Sequence, residues 1–323
     1  MTRIAAVALA VLGLFAAAPA QAQKYPDRTV TIIVPYPAGG PTDETARMVG
    51  NFLAKKFGQN FIVENVTGGS SIIATNKLAK AAPDGYTLLV HNLQIAANIT
   101  LFKNLPFNTE KDITPVALIN RNPLVLVGRP GLPPNNLKGL LALMRKERLK
   151  EALPGFGTTG HLTSTLFQQE TKVKIDEIPY RGAAPAMTDL LGDHVDVFIG
   201  TPQSLSAQVR AGKLKAYGIT SKEKSPLFPT AESLVDELGP KFEIMYWQGM
   251  FAPSGTPEAV LKTLNAAVQE AVSDPAIVKT WANEGAMPFP NDQRSLAAAN
   301  AMMKSETARW GKIIKDNNIH VTQ

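Results

Sequence analysis

Twice along this 323-residue chain, short β-branched runs alternate with amphipathic stretches, and glycine or proline marks the junctions. That alternation points to the α/β class, because strands joined through helices run parallel and are covered by those helices. In the first series, residues 29–34 form a β-branched run, and Pro35-Tyr-Pro-Ala-Gly-Gly-Pro41 is turn-forming. Thr42 or Asp43 is expected to cap a helix to about Phe57, with Ala46, Val49, Phe52 and Leu53 as its buried stripe. A strand over 61–66, a helix opened by Gly68-Gly69-Ser70-Ser71 and a strand over 86–90 complete a βαβαβ unit.

Two apolar strands follow, 113–119 and 124–127, then a helix from about Leu137. The second series begins near Leu153 and ends with a strand over 215–219. An extended strand over 242–251 is long enough to return to the first lobe, and three helices finish the chain. Two lobes joined by several crossings imply a cleft. In open parallel sheets, ligands sit at strand carboxyl ends beside helix N-termini. If both lobes turn those ends inward, a ligand is gripped from two sides and hinge closure buries it.

Composition narrows the chemistry. With no cysteine, the chain makes no disulfide, thiolate metal site or thiol nucleophile, and its four histidines are scattered without metal spacing. Charged residues make up 19% and the formal net charge is +6. The densest basic stretch, 138–150, also carries Glu147 and reads as a solvated helix face, so no nucleic-acid partner is expected. Arg3, an apolar run over 4–18 and Ala20-Gln21-Ala22 read as a cleavable export signal over 1–22. The apolar run falls short of the roughly 20 residues that span a bilayer.

Four stretches stand out for binding. Tyr36-Pro-Ala-Gly-Gly-Pro-Thr-Asp43 places glycines at a strand-to-helix junction, where backbone N–H groups and about half a positive charge face outward. Pro41 donates nothing, so donors come from Ala38, Gly39, Gly40 and Thr42 onward. A tight turn with Asp43 as N-cap paired to Arg47 explains the same residues equally well.

Gly155-Phe-Gly-Thr-Thr-Gly160, with His161 after it, matches a dinucleotide fingerprint. The strand before it is weak and the motif lies mid-chain, so no cofactor is expected. The anion-binding physics survives in Gly157, Thr158 and Thr159. Arg181, after the strand that ends near Tyr180, is placed to meet a carboxylate, although a surface turn is the plainer reading. Trp247, beside Tyr246 and Gln248, packs in a core or lines the cleft. No hydrolase elbow, zinc helix or Walker loop is present. A base role for His161 lacks an identifiable third partner, so the chain is not expected to be an enzyme.

The ordered set 25–43, 82–89, 178–182, 185–192, 211–216, 247–249 and 252–257 resembles the substrate-binding receptors of tripartite tricarboxylate transporters, the TctC-like or Bug family. The resemblance implies a two-lobed periplasmic-binding-protein fold of the Venus-flytrap type, each lobe a mainly parallel sheet flanked by helices. Lobe 1 would comprise 23–120 and about 245–323, and lobe 2 about 125–240.

It also implies a monomeric periplasmic receptor that hands a small di- or aromatic carboxylate to membrane transporter subunits. A sensor docking on a membrane signalling protein would share the fold. The loops Tyr36 to Asp43 and Gly157 to His161 would hold one carboxylate jointly. The specificity wall would include His91, Asn92, Gln94, Tyr180, Arg181, Thr201, Trp247 and Gln248. Ser70-Ser71 departs from the family pattern, at a place expected to lie off the pocket.

Overall fold

The computed structural model describes residues 25–321, and the export signal expected over 1–22 lies outside them. The chain lays down β1 (Val30–Val34), β2 (Phe61–Asn65), β3 (Thr87–Asn92) and β4 (Ile113–Pro123). It continues with β5 (Val125–Gly128), β6 (Leu149–Leu153), β7 (Ile175–Pro179), β8 (Val197–Gly200), β9 (Lys215–Ile219) and β10 (Glu232–Ser233). It then returns through β11 (Met245–Pro253) and β12 (Met287–Pro288). Two six-stranded sheets result, ordered β12-β4-β11-β3-β1-β2 and β10-β9-β5-β8-β6-β7.

Helix-covered crossovers give each sheet a parallel part: β2-β1-β3 in the first and β7-β6-β8 in the second. β10 also runs parallel to β9, and the other pairs are antiparallel for a topological reason. β4 leaves the first sheet and β11 enters it, so β11 runs antiparallel to β3 and β4. β5 enters the second sheet and runs antiparallel to β8 and β9. As a result β1, β3, β6 and β8 all direct their carboxyl ends toward the space between the sheets.

The Pro41–Phe57 helix covers the first sheet, packing Ala46, Val49 and Leu53 against Val30, Ile32 and Val34. It stops at Gly58, whose left-handed φ of 68° suits glycine and whose N–H closes on the Ala54 carbonyl. The 138–150 stretch is not one helix face. Its helix is Leu137–Lys146, and β6 follows with Glu151 buried inside it.

The crossing strands are laced together at one residue. Thr220 Oγ1 accepts from the Leu124 N–H at 2.7 Å and donates to the Ile244 carbonyl at 2.6 Å. Its own N–H donates to the Leu124 carbonyl at 2.9 Å, and its carbonyl accepts from the Ile244 N–H at 3.2 Å.

The lobes also touch across the cleft. Gln94 Nε2 donates to the Phe156 carbonyl at 3.3 Å. Gly182, at φ 123°, lies so close to Pro37 that a Cβ there would stand 3.0 Å from its Cδ.

Candidate functional site

The first junction is built by β1 and the Pro41–Phe57 helix. Gly40, rather than Thr42 or Asp43, is the N-cap, with Pro41 at the first helical position where a missing N–H costs nothing. Asp43 therefore sits in the first turn and folds back on the loop. Its Oδ2 accepts from the Gly39 N–H at 3.0 Å and Arg47 Nε at 2.9 Å, and its Oδ1 accepts from Asn65 Nδ2 at 2.8 Å. Burial alone would raise the Asp43 carboxyl, but these donors and the Arg47 charge outweigh it and hold the group below its ordinary value. Asp43 thus shapes the loop from behind, and Ala38 and Gly39 face solvent.

The second lobe presents three further helix starts. Thr158 caps the Thr159–Thr171 helix, its hydroxyl accepting from the His161 N–H and donating to the Gly155 carbonyl at 2.7 Å. The Ala183–Leu191 helix begins after Gly182, and the Pro202–Arg210 helix after Thr201.

His161 stands behind this loop. Its Nδ1 accepts the Gly157 N–H at 3.1 Å, and its Nε2 lies 3.9 Å from Glu177 Oε2. Burial pulls its pKa down to about 4, so the ring is neutral at neutral pH. Both His161 and Gly157 support the binding loop from outside the cavity it lines.

An inner cavity of about 70 Å³ lies where these four helix starts converge. Its wall includes Gly40 and Thr42 from one lobe, and Thr158, Thr159, Gly182, Thr201 and Ser204 from the other. No charged side chain lines it. Four helix N-termini, each carrying about half a positive charge, therefore supply its field. Thr159 Oγ1 is buried in this wall without a hydrogen-bond partner among the described residues. The cavity opens beside a chamber of about 480 Å³, and the two share Tyr36, Pro37, Pro154, Thr158 and Gly182.

The anticipated specificity residues divide. Asn92 lines the inner cavity and donates from Nδ2 to the Tyr246 hydroxyl at 3.1 Å. Gln94, Tyr180 and Arg181 line the chamber, where Gln94 Oε1 accepts from the Tyr36 hydroxyl at 2.7 Å.

Three others lie elsewhere. His91 is wholly buried beside Tyr36, its rings edge-on at 5.7 Å, and burial lowers its pKa to about 3. Trp247 points to the opposite sheet face, where its Nε1 donates to Glu306 Oε2 at 3.1 Å. Gln248 is fully buried and lines neither space.

The strand alternation behind this outcome puts Tyr246 in the inner wall, where sequence reasoning placed its neighbour Trp247. Gly182, Ala183, Ala184 and Ser204 also line the inner cavity and were missed as site residues, although the helices they open were expected after strands. Ser70 and Ser71, expected to lie off the pocket, stand in the chamber wall.

Two α/β lobes that meet strand ends and helix starts across a cleft define a two-lobed solute-binding protein. The model of the tripartite tricarboxylate transporter family receptor matches residues 45–319, and the chain belongs to that family.

The fold is similar to the periplasmic binding protein BugD, at 32% identity and a TM-score of 0.87 over 92% of this chain and 99% of that one. It is similar to MatC from Rhodopseudomonas palustris with bound malate, at 34% identity and a TM-score of 0.84 over 90% and 100% of the two chains. A third similar structure is an R. palustris protein with adipate, at 29% identity and a TM-score of 0.86 over 92% and 99%. Among the described residues, no helix is long and apolar enough to cross a membrane.

Proposed function

We propose that this protein is a periplasmic receptor that binds one carboxylate of a small organic acid in the inner cavity and delivers the acid to the membrane subunits of a tripartite transporter. The observation that carries this reading is the convergence of helix starts from both lobes on a cavity that, among the described residues, has no charged side chain and one unpartnered buried hydroxyl, Thr159 Oγ1. Fixed N–H dipoles favour an anion without a counter-cation. Malate and adipate in two similar structures support an acid as the guest.

The lobes, 23–120 with about 245–323 and about 125–240, close as units around the ligand. Only contacts that span both lobes favour the closed state. Hydrogen bonds to a charged ligand contribute roughly 1.5–3 kcal/mol each. Four or five, less the ordering cost, correspond to micromolar affinity, about −8.2 kcal/mol.

A thermal-shift screen of mono-, di-, tri- and aromatic carboxylates tests the assignment. A bound acid raises the melting temperature according to RT ln(1 + [L]/Kd). A flat response across all four classes removes it.

A further inference from the structure

We infer that Gly285 is a positioning residue for lobe closure: it is the seat on which the Pro202–Arg210 helix of the second lobe rests, and a side chain there would hold the cleft ajar and weaken carboxylate binding without touching the acid. The inference rests on the receptor reading above and adds what sets the closed width of its cleft.

A Cβ built on Gly285 would stand 2.6 Å from Pro202 Cβ and 3.0 Å from Leu227 Cδ1. The leucine tip can swing aside, but Pro202 Cβ belongs to a rigid ring at the start of its helix. The contact joins the two lobes. Gly285 ends the Pro275–Glu284 helix, whose Ile277 and Trp281 pack in the core of the first sheet, whereas Leu227 packs against the core of the second. At the far end of the same second-lobe helix, Arg210 Nη2 donates to the Asn283 carbonyl at 3.4 Å.

The seat has a counterpart in the close approach of Gly182 to Pro37. Pro37 follows β1, beside the β2 edge of the first sheet, while Gly285 leads into β12 at the opposite edge. The inner cavity lies between the two contacts: Pro37 and Gly182 line it, and so do Thr201 and Ser204 on either side of Pro202. Carbon atoms settle at about 3.5–4.0 Å, so relieving a 2.6 Å approach opens the seat by about 1 Å. Hydrogen bonds of about 2.7–3.2 Å, made to one anion by helix starts in both lobes, do not survive that stretch.

Backbone strain at Gly285 has a matched comparison within the chain. Gly58 ends the Pro41–Phe57 helix at φ 68° and ψ 22°, against 73° and 19° for Gly285, but a Cβ on Gly58 would stand in open space. A side chain therefore meets the same left-handed backbone at both positions, and a partner across the cleft only at Gly285.

Affinity and lobe separation, measured together, test the seat. Because the chain has no cysteine, spin labels at Lys55→Cys and Lys213→Cys, both exposed and one on each lobe, report the separation by pulsed electron resonance. Acetate, succinate, citrate and benzoate are the probes, with calorimetry for affinity. At least one acid should bind the otherwise unmodified protein and shorten the distance. Gly285→Ala should leave the distance longer with that acid present and raise its Kd ten-fold or more. Gly285→Asn, a residue that tolerates left-handed backbone, should do the same. Gly58→Ala should lose melting temperature as Gly285→Ala does, yet keep the original distance and Kd. A Kd and an acid-bound distance in both Gly285 variants equal to the original values overturn the seat and leave the receptor reading standing. So does an equal loss of affinity in Gly58→Ala, which would make strain the cause. Failure of all four acids to bind the unmodified protein removes the carboxylate reading itself, and the seat with it.

Discussion

The hydroxyls of Thr42 and Tyr246 lie 2.8 Å apart although 204 residues separate them. Thr42 lies in the first turn of the Pro41–Phe57 helix and Tyr246 belongs to the strand that returns from the second lobe, so this bond joins the binding loop to the crossing. Asn92 Nδ2 also donates to Tyr246, and burial pushes the phenol up to about 12, so it stays protonated.

Tyr246→Phe keeps the ring but leaves Thr42 Oγ1 and Asn92 Nδ2 without their partner. Each buried group left unpaired costs about 1–3 kcal/mol. Urea unfolding should show a loss in that range, and carboxylate affinity should fall because Thr42 and Asn92 line the cavity. Unchanged unfolding midpoint and affinity would show that the bond contributes nothing.

Thr159 makes the opposite combination. Its buried hydroxyl has no partner among the described residues, so Thr159→Val removes an unsatisfied polar group at nearly constant shape. Stability of the ligand-free protein should stay equal or rise. Affinity for a carboxylate should drop by about 10-fold or more, the worth of one hydrogen bond to a charged group. A variant that binds normally places the anion elsewhere in the cleft.

The frame of this site was legible in the chain because period and punctuation act locally. The 29–57 segment opens on a β-branched run, turns on Pro and Gly, then repeats at helical spacing, and it folds as β1 and the Pro41–Phe57 helix. Facing within a strand was less legible. Tyr246 and Trp247 are adjacent aromatics, and which one meets the cavity depends on pairing with β3 and β4, a long-range fact. The buried Glu151 was harder still. The strand Leu-Lys-Glu-Ala-Leu reads as weak because Lys150 and Glu151 interrupt it, and nothing local marks Glu151 as buried.

Glu151 yields a pH prediction. It pairs in register with Glu177 on β7, and Ser164 Oγ donates to its Oε2. Burial pushes its carboxyl up to about 8; the Ser164 bond pulls the other way and the Glu177 charge adds to the rise. The folded state therefore holds a proton that the unfolded chain releases above pH 4.5. Stability from this group is complete below that value and declines as pH rises toward 8. The depressed His161 works in the other direction, losing stability as pH falls from 6.5 toward 4. Glu151→Gln should flatten the alkaline decline and leave the acid one. The decline it removes has a slope of up to about 1.4 kcal/mol per pH unit. Parallel denaturation profiles at pH 5 and pH 8 for the two proteins would refute the assignment.

Thr220 concentrates the connection between lobes in one side chain. It is wholly buried, and its hydroxyl is at once acceptor for Leu124 and donor to Ile244, the residues at the two crossings. Valine fills the same volume and satisfies neither, so Thr220→Val strands a backbone N–H and a backbone carbonyl in the interior. The expected loss is about 1–3 kcal/mol for each. Serine keeps both bonds and deletes a methyl, so Thr220→Ser should lose only packing, about 1 kcal/mol. The order of unfolding midpoints should be threonine, then serine, then valine. If valine matches or exceeds serine, the crossing is held by strand packing rather than by this hydroxyl.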